Sequence, residues 1–475
     1  MAIAPSVQEL TAESDKAASA GSGQPWPSEK SGFFALFAII FATFITFLDQ
    51  TAFGLLAEKM KVSFQISDFT LGLLLGPVTV VAYVIVGIPL ARLVDIYPRK
   101  YVLSAGIAAL GAIMALGGLA QNLFQLIGTR LFVGASSSAN GPGAYSMLSD
   151  YFKPLRIPLV FALLQLGFIL GQSLGNIIGG RVIAWTESFG ETISFLGINI
   201  FSWQLVLILV GAPGLLAALI LLLVKEPPRR SLPNSQQLVA PSAPFGRKLL
   251  AFMGLDAAIA IWRRKTVFLP LFVALAMSAT ESQGLPQFRV PFISRTYGMT
   301  EAQIGDILGT MLLVAMLLGV FSGGLFVSWL GKRYKDANIR ATAIIFTCTM
   351  VVTIAMPLMP TGELAMACMA LGAFFGLAGA PAQNAAIQRI APNEMRGQVT
   401  ALYLFMFTFF GACGPAVIGG VSTFVVGNEQ EIWKAILITA CIFLPLAAFF
   451  MWRGIKPYRE EVERLERLEA AAAAA

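Results

Sequence analysis

The chain is 475 residues long, 57% of it is hydrophobic and 12% is charged, and its formal net charge is +7. A soluble domain carries about 25% charged residues, so this composition excludes a soluble enzyme. The sequence contains no histidine, which excludes Ser–His–Asp triads, Cys–His dyads and histidine-ligated metals.

Twelve apolar stretches are long enough to cross a bilayer, because a spanning helix needs about 20 residues. They lie at 33–54, 70–94, 101–121, 124–149, 157–184, 203–224, 267–292, 302–330, 339–359, 364–389, 397–424 and 432–452. Backbone groups in lipid must bond within the segment, and the alternating pattern of a barrel is missing. We therefore predict an all-α integral membrane protein with twelve transmembrane helices.

Charge predicts the orientation of these helices. Lys and Arg concentrate in the loops on one side, which the positive-inside rule assigns to the cytoplasm together with both termini. We expect a multi-pass protein of a bacterial inner (plasma) membrane. This topology and anionic lipid account for the net charge, so nucleic-acid binding is not needed to explain it.

The sequence repeats at a nearly fixed offset. Ser67, Gly72 and Gly76 recur 233 positions later as Thr300, Gly305 and Gly309. At an offset of 240, Arg156, Gly171, Gly179 and Gly180 recur as Arg396, Gly411, Gly419 and Gly420. Two parallel halves of this kind are typical of rocker-switch transporters, whose ligand site lies near the midplane between the halves.

The repeat divides the chain into two pseudo-symmetric six-helix bundles, at 33–224 and 267–453. The polar segment 1–32, rich in Ser, Ala, Gly and Pro, is predicted to be a disordered cytoplasmic tail. The proline-broken segment 225–266 is predicted to be a cytoplasmic linker that ends in an interfacial helix. A second cytoplasmic tail is expected at 454–475.

Several motifs resemble those of one family. Ala91–Lys100, with Asp95, Arg99 and Lys100, resembles the loop between spans 2 and 3 of the major facilitator superfamily, although Ala91, Ile96 and Pro98 depart from its pattern. Arg130-x-x-x-Gly134 is similar to the span-4 motif of the same family. Phe47-Leu48-Asp49, Ile66-Ser67-Asp68 and Glu226-Pro227-Pro228-Arg229 are most like the spinster branch. That branch implies movement of lysolipid-like or sphingoid molecules. Gln50 and Ser137 depart from its pattern, which leaves open the anion:cation symporter branch and organic-anion uptake.

Three charged residues lie well inside the predicted spans, and such residues are functional candidates by default. By helix rise, Asp49 lies about 24 Å from the inner end of span 1, which puts it in the outer half of the membrane. Arg130 lies about 10 Å from the outer end of span 4, at a similar depth, so the two residues are able to pair. The repeat places Glu281 one residue from the equivalent of Asp49. We predict Asp49 and Glu281 as proton-coupling sites, because release of an arginine to an anionic substrate lets a carboxylate take a proton.

Further candidates fall into two groups. The polar residues predicted to bind substrate are Arg130, Asn140, Gln165, Gln283, Gln383 and Asn384. The resemblance implies an inner gate made of Asp95, Arg99, Lys100, Asp150 and Arg156. The glycines Gly167, Gly171, Gly175 and Gly179 are expected to let helices pack closely.

We thus predict a proton-coupled secondary transporter of an amphipathic or organic-anion small molecule, which works by alternating access. An uncoupled facilitator and an organic-anion:cation symporter remain alternatives, as does a transporter-like receptor. A membrane-embedded lipid enzyme is the weakest alternative, because we find no clustered nucleophile, base or metal set. No cofactor or metal is expected; the expected partners are substrate, protons and membrane lipid, and the protein is expected to be a monomer.

Overall fold

The computed structural model describes residues 26–195, 198–229, 264–391 and 396–474. Residues 1–25 of the predicted N-terminal tail and most of the predicted linker, with its interfacial helix, lie outside this part. Within the described part, every one of the twelve predicted spans is helical.

In the first half of the chain, the described residues form nine α-helices and a short hairpin, here labelled in chain order. These are α1 (Glu29–Leu55), α2 (Ala57–Phe64), α3 (Asp68–Leu75), α4 (Pro77–Ile96), α5 (Arg99–Gly117), α6 (Leu123–Ser137), α7 (Asn140–Tyr151), α8 (Ile157–Glu187), β1 (Thr192–Phe195), β2 (Ile198–Phe201) and α9 (Ser202–Leu223). The antiparallel pairing of β1 with β2, with Thr192 opposite Phe201, was not predicted from the sequence.

In the second half, the residues from 264 onward that the structure describes form six α-helices. These are α10 (Lys265–Tyr297), α11 (Glu301–Gly331), α12 (Ala337–Ala355), α13 (Gly362–Ile390), α14 (Arg396–Gly420) and α15 (Ile432–Ala474). Gly298 ends α10 in the left-handed region, at φ 68°, and its N–H donates to the Ser294 carbonyl. Helix α15 continues through the predicted C-terminal tail.

Ten helices in the described residues are long and apolar enough to cross a membrane. The two predicted spans that fall short of this criterion carry Arg130 and Glu281. Span 4 is interrupted at Ser138 and Ala139, just before the Asn140-Gly-Pro-Gly sequence, which leaves helices of 15 and 12 residues. Helix α10 is 33 residues long, but the polar stretch from Thr280 to Gln283 lowers its hydropathy. The hydropathy criterion thus fails at two of the three spans in which the sequence places an intramembrane charge, whereas span 1, with Asp49, meets it.

Residue contacts group the chain into two compact units. One contains 1–50, 81–172 and 189–243, and the other contains 51–80, 173–188 and 244–475. The boundaries after residues 50, 80 and 172 fall inside helices. The two units differ from the predicted halves, whose division stays a prediction.

The sequence repeat recurs as a repeat of contacts within the second unit. A Cβ on Gly72 would overlap the backbone of Pro415 and lie 2.9 Å from the Cα of Ala416, whereas one on Gly305 would overlap the backbone of Asn176. Gly305 follows Gly72 by 233 positions and Ala416 follows Asn176 by 240, which are the two offsets of the repeat. The repeated glycines are therefore explained by two equivalent helix crossings, α3 on α14 and α11 on α8.

The glycine ladder of α8 packs against α1, as predicted. In the first unit, a Cβ on Gly167 would lie 2.8 Å from the Ile40 carbonyl, and one on Gly171 would lie 2.6 Å from the Cβ of Phe47. Small residues at four-residue spacing let the two helices approach this closely. The ladder is a packing surface, and it holds the α1 segment that carries Asp49 in place.

Candidate functional site

Asp49 and Arg130 form a buried ion pair in the first unit. Arg130 Nη1 lies 3.4 Å from Asp49 Oδ1, and both residues are only 2–3% exposed. Asp49 lies six residues before the end of α1 and Arg130 seven residues after the start of α6, each about 10 Å into its helix. The pairing predicted from these depths is confirmed; the functional role of the pair stays a prediction.

Glu281 is a buried carboxylate in the middle of α10, in the second unit. The residue is 2% exposed, and within the described part of the chain neither carboxylate oxygen has a hydrogen-bond partner. The nearby Thr439 hydroxyl donates to the Ile436 carbonyl instead. A bare carboxylate in an apolar surrounding is costly, so this position favours a proton or a cationic ligand.

The predicted amides do not form one cluster. Asn140 begins α7 and donates to the Thr46 hydroxyl of α1 at 2.9 Å, so it joins the two helices next to the Asp49–Arg130 pair. Gln283 packs against Gly411, Gln383 and Gln165 are half-buried, and Asn384 is exposed. Their role in substrate binding stays a prediction.

The predicted inner gate is organised around one buried arginine. Arg99 is 2% exposed and lies 2.5 Å from Asp150 and 3.0 Å from Glu226. Glu226 also accepts the backbone N–H of Lys100. Glu226 therefore belongs to the same cluster, although the sequence indicated it only as part of a family motif.

Two predicted members of the gate lie apart from this cluster or outside the described part. Arg156 pairs with Glu29 at 2.7 Å on the surface, where both side chains are more than half exposed. The side chain of Asp95 lies outside the described part of the structure.

A second charged cluster was missed by the sequence reasoning. It lies in the second unit at helix ends and contains Glu58, Lys61, Asp68, Arg295 and Glu429; we call it the Arg295 cluster. Arg295, in the last turn of α10, donates to Glu58 at 2.6 Å and to Asp68 at 2.8 Å. Asp68, the first residue of α3, is fully buried and also accepts from Lys61 at 2.8 Å. These bonds tie α2, α3 and α10 together.

The turn before α15 completes the Arg295 cluster. Glu429 accepts the backbone N–H of Asp68 at 2.9 Å and lies 2.5 Å from Lys61. The Ser422 hydroxyl donates to Asp68 at 2.7 Å. The members are up to 371 positions apart in sequence, so no local sequence pattern predicts that they form a cluster.

A second missed residue is Arg289. It lies three residues before the end of predicted span 7, but α10 continues eight residues beyond it, and its Nε is buried without a hydrogen-bond partner. Among the described residues, no group of His, Cys, Asp and Glu could hold a metal ion.

Comparison with known proteins places this fold. A sequence profile of the Major Facilitator Superfamily matches residues 39–415 and 271–474. The chain is 27% identical over 430 residues to an MFS-type efflux pump of Mycolicibacterium smegmatis, covering 88% of this chain and 91% of the relative. It is 22% identical over 323 residues to protein spinster of Drosophila melanogaster, covering 65% of this chain and 48% of that protein.

The fold matches a solved transporter structure. A crystal structure of a bacterial homolog to the human lysosomal transporter Spinster, in an inward-facing and unoccupied conformation, superposes with a TM-score of 0.71. It is 22% identical and covers 92% of this chain and 98% of its own. The resemblance to the spinster branch is confirmed, and the family is one of transporters rather than enzymes. The chain belongs to the Major Facilitator Superfamily.

Proposed function

We propose that this protein is a proton-coupled secondary transporter that moves an amphipathic or organic-anion small molecule by alternating access. The observation that carries the proposal is the buried Asp49–Arg130 pair within helices that span the membrane. An ion pair removed from water is costly unless both charges stay paired. An anion that draws Arg130 away would leave Asp49 unpaired, and the carboxylate would then take a proton. Anion binding and proton binding are thereby linked.

Glu281 supports a second proton site. It has no counter-ion or hydrogen-bond partner among the described residues, so a neutral, protonated carboxyl group fits its surrounding better than a carboxylate does. Protons then load the protein at two carboxyl groups, one in each compact unit. This route to coupling does not need histidine, which the sequence lacks.

The Arg295 cluster supplies a gate for alternating access. Its ion pairs join the ends of α2, α3 and α10. Two close helix crossings lie in the same compact unit, where Gly72 packs on α14 and Gly305 packs on α8. A rocking motion has to separate these surfaces, and therefore has to break the bonds from Arg295 to Glu58 and Asp68. By the predicted topology this is the outer gate, and Arg99 with Asp150 and Glu226 organises the inner one.

Substrate flux into proteoliposomes, with and without a pH gradient, tests the proposal. We expect the gradient to drive accumulation in the wild type, and Asp49→Asn to abolish accumulation while substrate exchange without a gradient continues. Arg181→Gln is the charge control, because Arg181 pairs with Asp306 on the surface, where the two side chains are 70% and 44% exposed. Flux that does not respond to the gradient would replace the proposal by an uncoupled facilitator. Uphill transport by Asp49→Asn would remove Asp49 from the proton path.

The uncoupled facilitator has one observation in its favour. Ser137 stands where the spinster pattern has a glutamate, and its hydroxyl donates to the Val133 carbonyl at 2.7 Å. Span 4 therefore lacks the acidic group of that pattern at this position. Proton coupling then rests on Asp49 and Glu281, which are the residues that the flux experiment tests.

A further inference from the structure

Arg289 lies in α10, eight residues before the end of the helix at Tyr297, and has no counter-ion in the described part of the chain. No carboxylate in the described part of the chain forms an ion pair with its guanidinium group, and its Nε is buried without a hydrogen-bond partner. The residue remains partly exposed, and its two outer guanidinium nitrogens are not among the buried atoms that lack a hydrogen-bond partner. The charge therefore faces accessible space.

The neighbours of Arg289 on its own helix are unable to pair with it. The positions three and four residues away are Leu285, Pro286, Phe292 and Ile293, all apolar. The nearest acid on α10 is Glu281, which lies about 12 Å away along the axis. Helical spacing thus rules out the usual intrahelical ion pairs.

Other buried arginines in the described helices have carboxylate partners. Arg130 is paired with Asp49, Arg99 with Asp150, and Arg295 with two carboxylates. A guanidinium in a membrane is too costly to leave uncompensated, so its partner is expected to be a protein group, water or a ligand. For Arg289 the described residues supply no such protein group.

Hydroxyl groups share the face of α10 on which Arg289 lies. Ser282 precedes it by seven residues and Ser278 by eleven, which places all three within one narrow stripe of a helix with 3.6 residues per turn. Ser282 is exposed and Ser278 is partly exposed. The Ser282 hydroxyl lies two turns from Arg289, about 10 Å along the axis, so the guanidinium itself is the group that suits an oxyanion such as a carboxylate or a phosphate.

We propose that Arg289, with the Ser282 face of α10, binds the oxyanion group of the transported molecule. The inference rests on the proposed function and names a binding residue that it did not contain. Arg289 is thus available to an anion before the Asp49–Arg130 pair has to open.

Equilibrium binding of radiolabelled probes to the purified full-length protein tests this inference. Benzoate represents a soluble carboxylate and lysophosphatidylglycerol a lipid phosphate; benzamide and monoacylglycerol are their neutral counterparts. Arg289→Gln should weaken binding of an anionic probe about tenfold or more, since a hydrogen bond to a charged group is lost. It should leave binding of the neutral counterpart unchanged. The affinity of Arg289→Lys for the anionic probe should lie between those of the wild type and Arg289→Gln. Loss in the benzoate arm alone assigns a soluble anion, loss in the phosphate arm alone assigns a lipid, and either supports the inference.

Three results would overturn it. The first is wild-type affinity of Arg289→Gln for both anionic probes, and the second is a wild type that prefers neither anion to its neutral counterpart. The third is a melting temperature of ligand-free Arg289→Gln several degrees below that of Arg181→Gln, which would make Arg289 structural. If the wild type transports an anion in response to a pH gradient and Arg289→Gln has the wild-type KM for that anion, the inference is refuted and the proposed function stands. A wild type with no gradient-dependent transport refutes the proposed function.

Discussion

Breaking the Arg295 cluster should open the gate that it holds closed. Arg295→Gln removes the cation that contacts Glu58 at 2.6 Å and Asp68 at 2.8 Å, and the Arg295 side chain is only 3% exposed. Removing one partner of a buried ion pair costs about 3–5 kcal/mol. Two conformations of a transporter differ by a few kcal/mol, so a loss of this size moves the equilibrium by about a hundredfold or more.

Pulsed EPR distances between two spin labels at the exposed positions Val62 and Val425 measure this opening. We expect one short distance in the wild type and a dominant longer distance in Arg295→Gln. Arg181→Gln is the matched control, because the Arg181–Asp306 pair lies in the same compact unit but is exposed. An exposed pair contributes about 0–1 kcal/mol, so the control should keep the short distance.

The double variant Asp68→Asn with Arg295→Gln separates gating from misfolding. It removes the buried Asp68 charge, which loses its two Arg295 bonds in Arg295→Gln and keeps Lys61 as its one cationic partner among the described residues, so the short distance should return in part. An unchanged distance distribution in Arg295→Gln would refute the reasoning. An equal shift in Arg181→Gln would refute it too, since burial would then not decide which pair holds the gate.

Three further predictions follow from named contacts. Gly305→Ala should lower stability by about 1–3 kcal/mol, because its Cβ would overlap the Asn176 backbone. Gly324→Ala on the same helix should be neutral in thermal unfolding, since no atom lies within 4 Å of its Cβ; equal losses would contradict the helix crossing. Burial alone would raise the pKa of Asp336, but hydrogen bonds from two arginines hold that pKa below its ordinary value of 3.8. This stabilisation is complete above pH 3.8 and is lost as the pH falls through the lower folded value. Asp336→Asn should therefore melt below the wild type at neutral pH, with a difference that narrows in acid; a constant difference would contradict it. Glu226→Gln should raise trypsin cleavage near Arg99, because that arginine loses a 3.0 Å partner; unchanged cleavage would count against its place in the cluster.

Much of the fold follows from local properties of the sequence. Helix length and hydropathy located all twelve helical stretches, because a spanning helix must satisfy its own backbone in lipid. Depth along two helices was enough to pair Asp49 with Arg130. The repeat offset likewise indicated that Gly72 and Gly305 are equivalent. Both copies of the repeat need a glycine at this position, because the backbone of a neighbouring helix passes close to it.

The missed features depend on distant partners or on exact helix ends. The Arg295 cluster joins Glu58, Asp68 and Glu429, whose proximity arises only from the packing of helix ends. Arg289 lies near the end of predicted span 7, at 292, because hydropathy falls before that point, whereas α10 continues to Tyr297. A count of polar residues at helical spacing along Ser278, Ser282 and Arg289 would have revealed the shared face.

Proton movement that accompanies substrate movement tests the central claim most directly. Proteoliposomes with an internal pH indicator and no initial pH gradient are given a substrate gradient, and the internal pH is recorded in the wild type, Asp49→Asn and Glu281→Gln. The account predicts a pH change that follows substrate flux in the wild type and is lost in both variants while substrate exchange continues. Substrate flux in the wild type without any change of pH would contradict it.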